Sequence, residues 1–147
     1  MLKMNEKLVL DTLLCLERIY GGCLFSLNCR IRERYFEFLF LTKRGKFVEV
    51  RLVTSPVVVQ RMINLMSQGD LRPDHLYLII NDTEEHLQKL IPDDIGLFIL
   101  KGSDLQLMRK SKIREGTIPK GLFCKSVART MGGLLNRLEE ANHGKES

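Results

Sequence analysis

The chain predicts an α/β fold: a helix, a three-stranded meander, a second helix, a further strand, and a C-terminal helix. Three observations carry that reading. Apolar residues recur at helical spacing over residues 2 to 20 and again after Ser55. Between them, YFEFLFLTKRGKFVEVRLV (Tyr35 to Val53) reads as two strands joined by a basic turn. Leu76 to Ile80 is a continuous apolar run, the pattern of a strand covered on both faces, as in the middle of a parallel sheet.

Each element has a local reason. In residues 2 to 20, Leu2, Leu8, Val9, Leu13, Leu16 and Tyr20 form one stripe, and Gly21-Gly22 ends it. Leu24 to Cys29 is a short strand. Arg30, Arg32 and Arg34 alternate along the run that follows, so one strand face there is expected to be cationic. Tyr35 to Leu41 and Lys46 to Val53 are paired strands. Thr42-Lys43-Arg44-Gly45 is their turn, with Gly45 free to take positive φ. Ser55 caps a helix with Pro56 in its first position, carrying Val58, Val59, Met62, Ile63 and Met66 and stopping near Gly69.

His75 to Ile80 is the next strand. Asp82 and Glu85 resemble a capping box for a short helix through Leu90, which Pro92 ends. Gly96 to Leu100 is another apolar strand, and Leu105 to Met108 pairs back after a turn at Lys101 to Asp104. Residues 109 to 120 are basic and irregular. A final helix is expected from about Leu122 to Ala141, striped by Phe123, Val127, Met131, Leu134, Leu135 and Leu138. Residues 1 to 141 read as one domain and 142 to 147 as a frayed tail.

Composition narrows the class. At 147 residues, 44% hydrophobic and 28% charged, the chain has the balance of a globular domain. No apolar run approaches the roughly 20 residues that span a bilayer, and acids interrupt the N-terminal apolar stretch, so a cytoplasmic protein with no membrane partner is expected. Cys15, Cys23, Cys29 and Cys124 form no CxxC pair, and His75, His86 and His143 are scattered, so no zinc site is predicted. A net charge of +5 suits a polyanionic partner without requiring one.

Glu37, Glu49 and Arg51 put charge into otherwise apolar strands. Side chains alternate across a strand, so Phe47, Glu49, Arg51 and Val53 share a face, as do Glu37, Leu39 and Leu41. If the connecting loop is odd-numbered, Glu37 and Glu49 sit directly opposite each other, roughly 5 Å apart at Cβ; an even loop puts Glu37 on the other face. Like charges so placed need a neutralising partner. A divalent metal of the magnesium type is one, and Arg51 is the other.

These residues carry a resemblance. The order of elements, with Glu37 on the second strand and Glu49-Val50-Arg51 on the third, resembles the PD-(D/E)XK nuclease superfamily, the restriction-endonuclease-like fold. FVEVR after a basic turn is similar to the FVEVK of several members, and a strand followed by IPDDIGLFIL resembles small members of the same group. The resemblance spans roughly residues 8 to 100. It implies that Glu37 and Glu49 hold Mg2+ or Mn2+, that Glu17 on the first helix adds an acid, and that Gln60 supports the site. It also implies a metal-dependent hydrolase acting on DNA phosphodiesters. Two departures matter. Glu37 replaces the usual Asp, and Arg51 replaces the usual Lys. Arginine stays protonated and cannot act as a general base, although it can orient water or stabilise developing negative charge.

Two other functions compete with the nuclease. One is a catalytically inactive relative that binds nucleic acid or serves as a regulatory subunit of a larger complex. The other is an interaction module that uses the C-terminal helix or an open sheet edge, with a protein partner or a second copy of itself. Arg30, Arg32, Arg34, Lys43, Arg44, Arg109, Lys110 and Lys112 are the candidate phosphate contacts.

Overall fold

The computed structural model describes residues 4–22, 24–123 and 129–130. The first helix, α1 (Glu6–Tyr20), starts at Asn5, whose side-chain oxygen accepts the Leu8 N–H at 2.8 Å. Gly21 closes it at φ 71. Three antiparallel strands follow: β1 (Leu24–Ile31), β2 (Arg34–Leu41) and β3 (Phe47–Leu52). Helix α2 (Pro56–Gln68) is capped by the Ser55 side chain and leads to β4 (His75–Asn81). A 3-10 helix (Asp82–Leu90) connects β4 to β5 (Gly96–Lys101), and β6 (Asp104–Arg109) turns back along β5. The expected α/β class and order of elements through residue 109 are present.

The strands form one mixed sheet in the order β6-β5-β4-β3-β2-β1-β7, where β7 is Arg129–Thr130 against the start of β1. β3, β4 and β5 are mutually parallel; β2 and β6 run the other way. Both ends of the sheet are thereby defined. The β1–β2 turn, the end of β3 and the start of α2 share one end. The β2–β3 turn, the end of α1 and the start of β4 share the other.

One sheet face packs on α1 through Leu13, Leu16, Phe38, Val50 and Tyr77. The other packs on α2 and the 3-10 helix through Val59, Met62, Leu78, Ile80 and Leu87. A third cluster joins Phe36, Leu39 and Phe47 to Leu71, Ile118 and Phe123. Among the described residues, no helix is long and apolar enough to cross a membrane.

Four expectations change. First, Arg30, Arg32 and Arg34 do not line one strand face. Arg32 and Glu33 form a two-residue hairpin turn, Arg32 takes φ 56, and Arg30 and Arg34 lie on different strands, paired with Tyr35 and Ile31. The bend lets β1 pair along its length with β2, which outweighs extending a charged run. Second, Asp82 is not a capping residue. Asn81 holds that place without a side-chain bond, and the segment is a kinked 3-10 helix with Glu84 at φ −117. The segment ends on an i→i−3 bond, the Ile91 N–H donating to the Gln88 carbonyl at 3.2 Å, and the non-helical backbone at Glu84 interrupts any regular α-helix. Third, a helix does not begin at Leu122. Lys120–Leu122 is a single 3-10 turn. Fourth, Arg129 and Thr130 are strand, satisfying the open edge of β1, so no continuous helix runs through them. The rest of the expected C-terminal helix lies outside the described residues.

Gly96 in β5 lies against Tyr77 on the neighbouring strand β4. A Cβ there would meet the buried Tyr77 ring at 2.2 Å. Gly96→Ala is expected to lower the unfolding free energy by about 1–3 kcal/mol, the usual range for overpacking a core. A urea denaturation series would measure it.

Candidate functional site

The β2–β3 connection has the odd length that brings Glu37 and Glu49 to one face. Thr42 and Lys46 close it with a 2.8 Å backbone bond, leaving a three-residue loop that ends on Gly45 at φ 78. The acids are nevertheless not directly opposite. The register pairs Glu49 with Leu39, two residues beyond Glu37. They are diagonal neighbours, and Glu37 is the smallest of the influences acting on Glu49.

Glu49 is fully buried, and its cationic partner is Arg34, with Nη2 to Oε1 at 2.6 Å. The sequence left that partner open between a metal and Arg51. Arg34 reaches Glu49 by folding back from the hairpin turn, its guanidinium 4.2 Å from the centre of the Phe36 ring. Its Nη1 donates to the Leu71 carbonyl at 2.5 Å, which ties the start of β2 to the segment after α2. Oε2 of Glu49 and Nε of Arg34 have no hydrogen-bond partner among the described residues. Burial therefore pushes the Glu49 carboxyl above its ordinary value, and Arg34 only partly opposes this.

Arg51 is held separately. Its guanidinium lies over the Tyr35 ring at 5.2 Å and donates to the Tyr35 carbonyl at 3.3 Å. Glu37 accepts the Leu52 N–H at 3.1 Å. Burial raises its carboxyl too, opposed by that hydrogen bond and by Arg51.

Arg34 and Arg51 line a cleft of about 700 Å³ together with Arg32, Arg61, Tyr35 and the acids Glu33 and Asp70, whereas Glu37 and Glu49 do not line it. Its arginines come from the β1–β2 turn (Arg32), the start of β2 (Arg34), β3 (Arg51) and α2 (Arg61), brought together at the end of the sheet where β3 leads into α2. Arg61 and the Arg34 ion pair were not singled out as site features in the sequence. Arg61 follows Gln60 on α2, but nothing local marks it as facing the hairpin.

The other candidates lie elsewhere. Gln60 is exposed and donates to Asn64 at 3.0 Å. Glu17 is exposed on α1, which packs on the opposite sheet face from the α2 side. Lys43 and Arg44 occupy the β2–β3 turn at the far end of the sheet. Arg109 donates to the carbonyls of Ile95 and Pro92 and lies 3.5 Å from Asp93, while Lys110 and Lys112 are exposed just beyond β6. Arg30 sits 5.8 Å from the Tyr35 ring centre. The basic residues thus divide between the two ends of the sheet. Among the described residues, no group of three or more His, Cys, Asp or Glu gathers as a metal ion requires.

No protein-family model and no curated protein matches the chain. One solved structure does, a protein of unknown function, SPO1766, from Silicibacter pomeroyi. It is 12% identical with a TM-score of 0.56, over 99% of this chain and 94% of that one. The likeness is one of fold.

The Arg34–Glu49 pair generates two expectations. Arg34→Met strands a buried carboxylate and is expected to cost about 3–5 kcal/mol, much of it regained in the Arg34→Met/Glu49→Leu double variant; chemical denaturation of the three proteins measures this. The second concerns pH. A carboxyl raised on folding favours the folded state most below its ordinary value of 4.5, and that contribution is lost as pH rises through its folded value. Stability relative to Glu49→Gln is therefore expected to fall between acid and neutral pH, measured as the difference in denaturation midpoint.

Proposed function

We propose that this chain is a divergent restriction-endonuclease-like protein that binds DNA at the arginine-lined cleft without cutting it. One observation carries the reading: on the face where the superfamily resemblance expects metal, Glu49 already has a buried guanidinium partner. Glu49 and Arg34 neutralise each other, leaving Arg32, Arg51 and Arg61 as the cleft's cations. Arginine matches phosphate oxygens through paired donors and keeps its charge at any working pH. Phosphate contacts of this kind position a backbone without reading bases. The element order supports the fold assignment, and the mixed sheet with a helix on each face is compatible with it.

A second reading, metal-dependent hydrolysis, draws on the Oε2 atom of Glu49, which is buried without a partner. Mg2+ or Mn2+ shared by Glu49 and Glu37 would supply Lewis acidity and an acidified water. Arg51 would orient that water or steady the charge on phosphorus. Arg34 would have to release Oε1 for both acids to serve.

Fluorescence anisotropy with labelled duplex DNA separates the two. Binding without hydrolysis predicts a log K against log salt slope of about −3 for three phosphate contacts, made shallower by about 0.9 in Arg61→Ala. EDTA should leave it unchanged. Affinity that is flat with salt, or that EDTA abolishes, would overturn this reading. Cleavage of plasmid with manganese, gained in Arg51→Lys and lost in Glu49→Ala, would establish the second.

A further inference from the structure

A second cavity, of about 440 Å³, lies at the opposite end of the sheet from the arginine cleft, under the β2–β3 turn. Ile19 and Tyr20 at the end of α1, Thr42, Arg44 and Lys46 in the turn, His75 at the start of β4, and Ile113 in the strap of residues 110–118 that follows β6 line it. It contains two cationic side chains and no carboxylate. Neither Arg44 nor Lys46 makes an ion pair or side-chain hydrogen bond among the described residues. Lys120 adds a third cation at the same turn, close enough that a Cβ on Gly45 would meet its ammonium at 2.5 Å.

The inner wall is polar and fixed. The Tyr20 and Tyr77 hydroxyls are 2.5 Å apart, and His75 Nδ1 lies 2.6 Å from Ser111 Oγ and 3.3 Å from the Tyr20 hydroxyl. His75 is buried, and that burial holds its ring below the ordinary histidine value and so neutral at pH 7, with Asp74 opposing and Lys46 reinforcing the shift. Asp74, the acid next to His75, is committed elsewhere: its carboxylate accepts the N–H groups of Phe47 at 2.8 Å and Gly116 at 2.9 Å. Among the described residues, no carboxylate lines the cavity to pair with the turn's cations.

We infer that this cavity is an anion site for a phosphomonoester-type group, held by Arg44 and Lys46 at its mouth with Tyr20 and His75 behind. A dianionic phosphate matches the two charges. Arginine supplies a planar pair of donors and lysine a point charge. The volume admits a phosphoryl group with a small organic body. The group could come from a free small molecule or from the terminal phosphate of a nucleic-acid strand. This site is separate from the arginine cleft, and either can fail without the other.

The test is isothermal titration of the full chain with inorganic phosphate, at fixed ionic strength set with chloride, alongside the His75 ring resonances by NMR. Saturable binding with a shift at His75 is expected. Arg44→Ala and Lys46→Ala should each weaken it by about tenfold, the loss of one charge-assisted hydrogen bond. Arg61→Ala, in the cleft, and Lys101→Ala, at the far end of the sheet, should leave it unchanged. A 5′-phosphorylated oligonucleotide that binds more tightly than its 5′-hydroxyl counterpart, with the difference lost in Lys46→Ala, identifies a strand end as the source. Equal affinity for the two oligonucleotides with retained phosphate binding identifies a small molecule. Binding that chloride mimics, or that survives Arg44→Ala/Lys46→Ala, overturns the inference.

Discussion

A carboxylate with no solvent exposure sits in β3, inside the mixed sheet, and the chain around it is arranged to tolerate that charge. An isolated buried carboxylate is too costly to persist ionised. Arg34 supplies the opposite charge, and its second arm reaches the Leu71 carbonyl. Three segments distant in sequence are tied by one guanidinium: the β1–β2 turn, the middle of β3, and the chain leaving α2. The same contact determines what the face can do. Arg34 is committed to that carboxylate, while Arg32, Arg51 and Arg61 line the neighbouring cleft.

The two ends of the sheet divide the chemistry. Parallel β3, β4 and β5 place their starts together and their ends together. The end where β3 finishes gathers arginines from two strands, a turn and a helix around a cleft. The end where β4 starts gathers lysines and arginine from a turn, above a hydrogen-bonded cluster of tyrosines, histidine and serine. Asp74 organises this second end without entering its cavity. Its carboxylate and backbone bond Phe47, Arg114 and Gly116, which hold the strap across the base of the sheet. Strap residue Ile118 then packs with Phe123 in the third hydrophobic cluster.

The alternation argument at the hairpin succeeded in one respect and failed in another. The three-residue loop has the odd length needed to bring Glu37 and Glu49 to one side. The register, however, is set by where the loop closes, and it offsets the two acids by two residues. Parity is visible in a sequence because it depends on counting. Register depends on the hydrogen bond from Thr42 to Lys46 and on Gly45 adopting positive φ, which a residue count does not contain.

The sequence alone determined the order of elements through residue 109, because most carry their own period and their own end signals: Ser55-Pro56, Gly21 and Gly45 act on their immediate neighbours. It also marked Glu37, Glu49 and Arg51 as misfits in apolar strands. Only the tertiary structure decided which cation meets Glu49. Arg34 looked like one of three alternating surface charges; the hairpin bend at Arg32-Glu33 separated it from them and turned it inward. Only the tertiary structure decided that Arg61 joins Arg51 while Gln60 and Glu17 stand apart. The edge of β1 likewise recruited Arg129 and Thr130 against their helical pattern. In each case the deciding partner lies far along the chain, and local spacing holds no information about it.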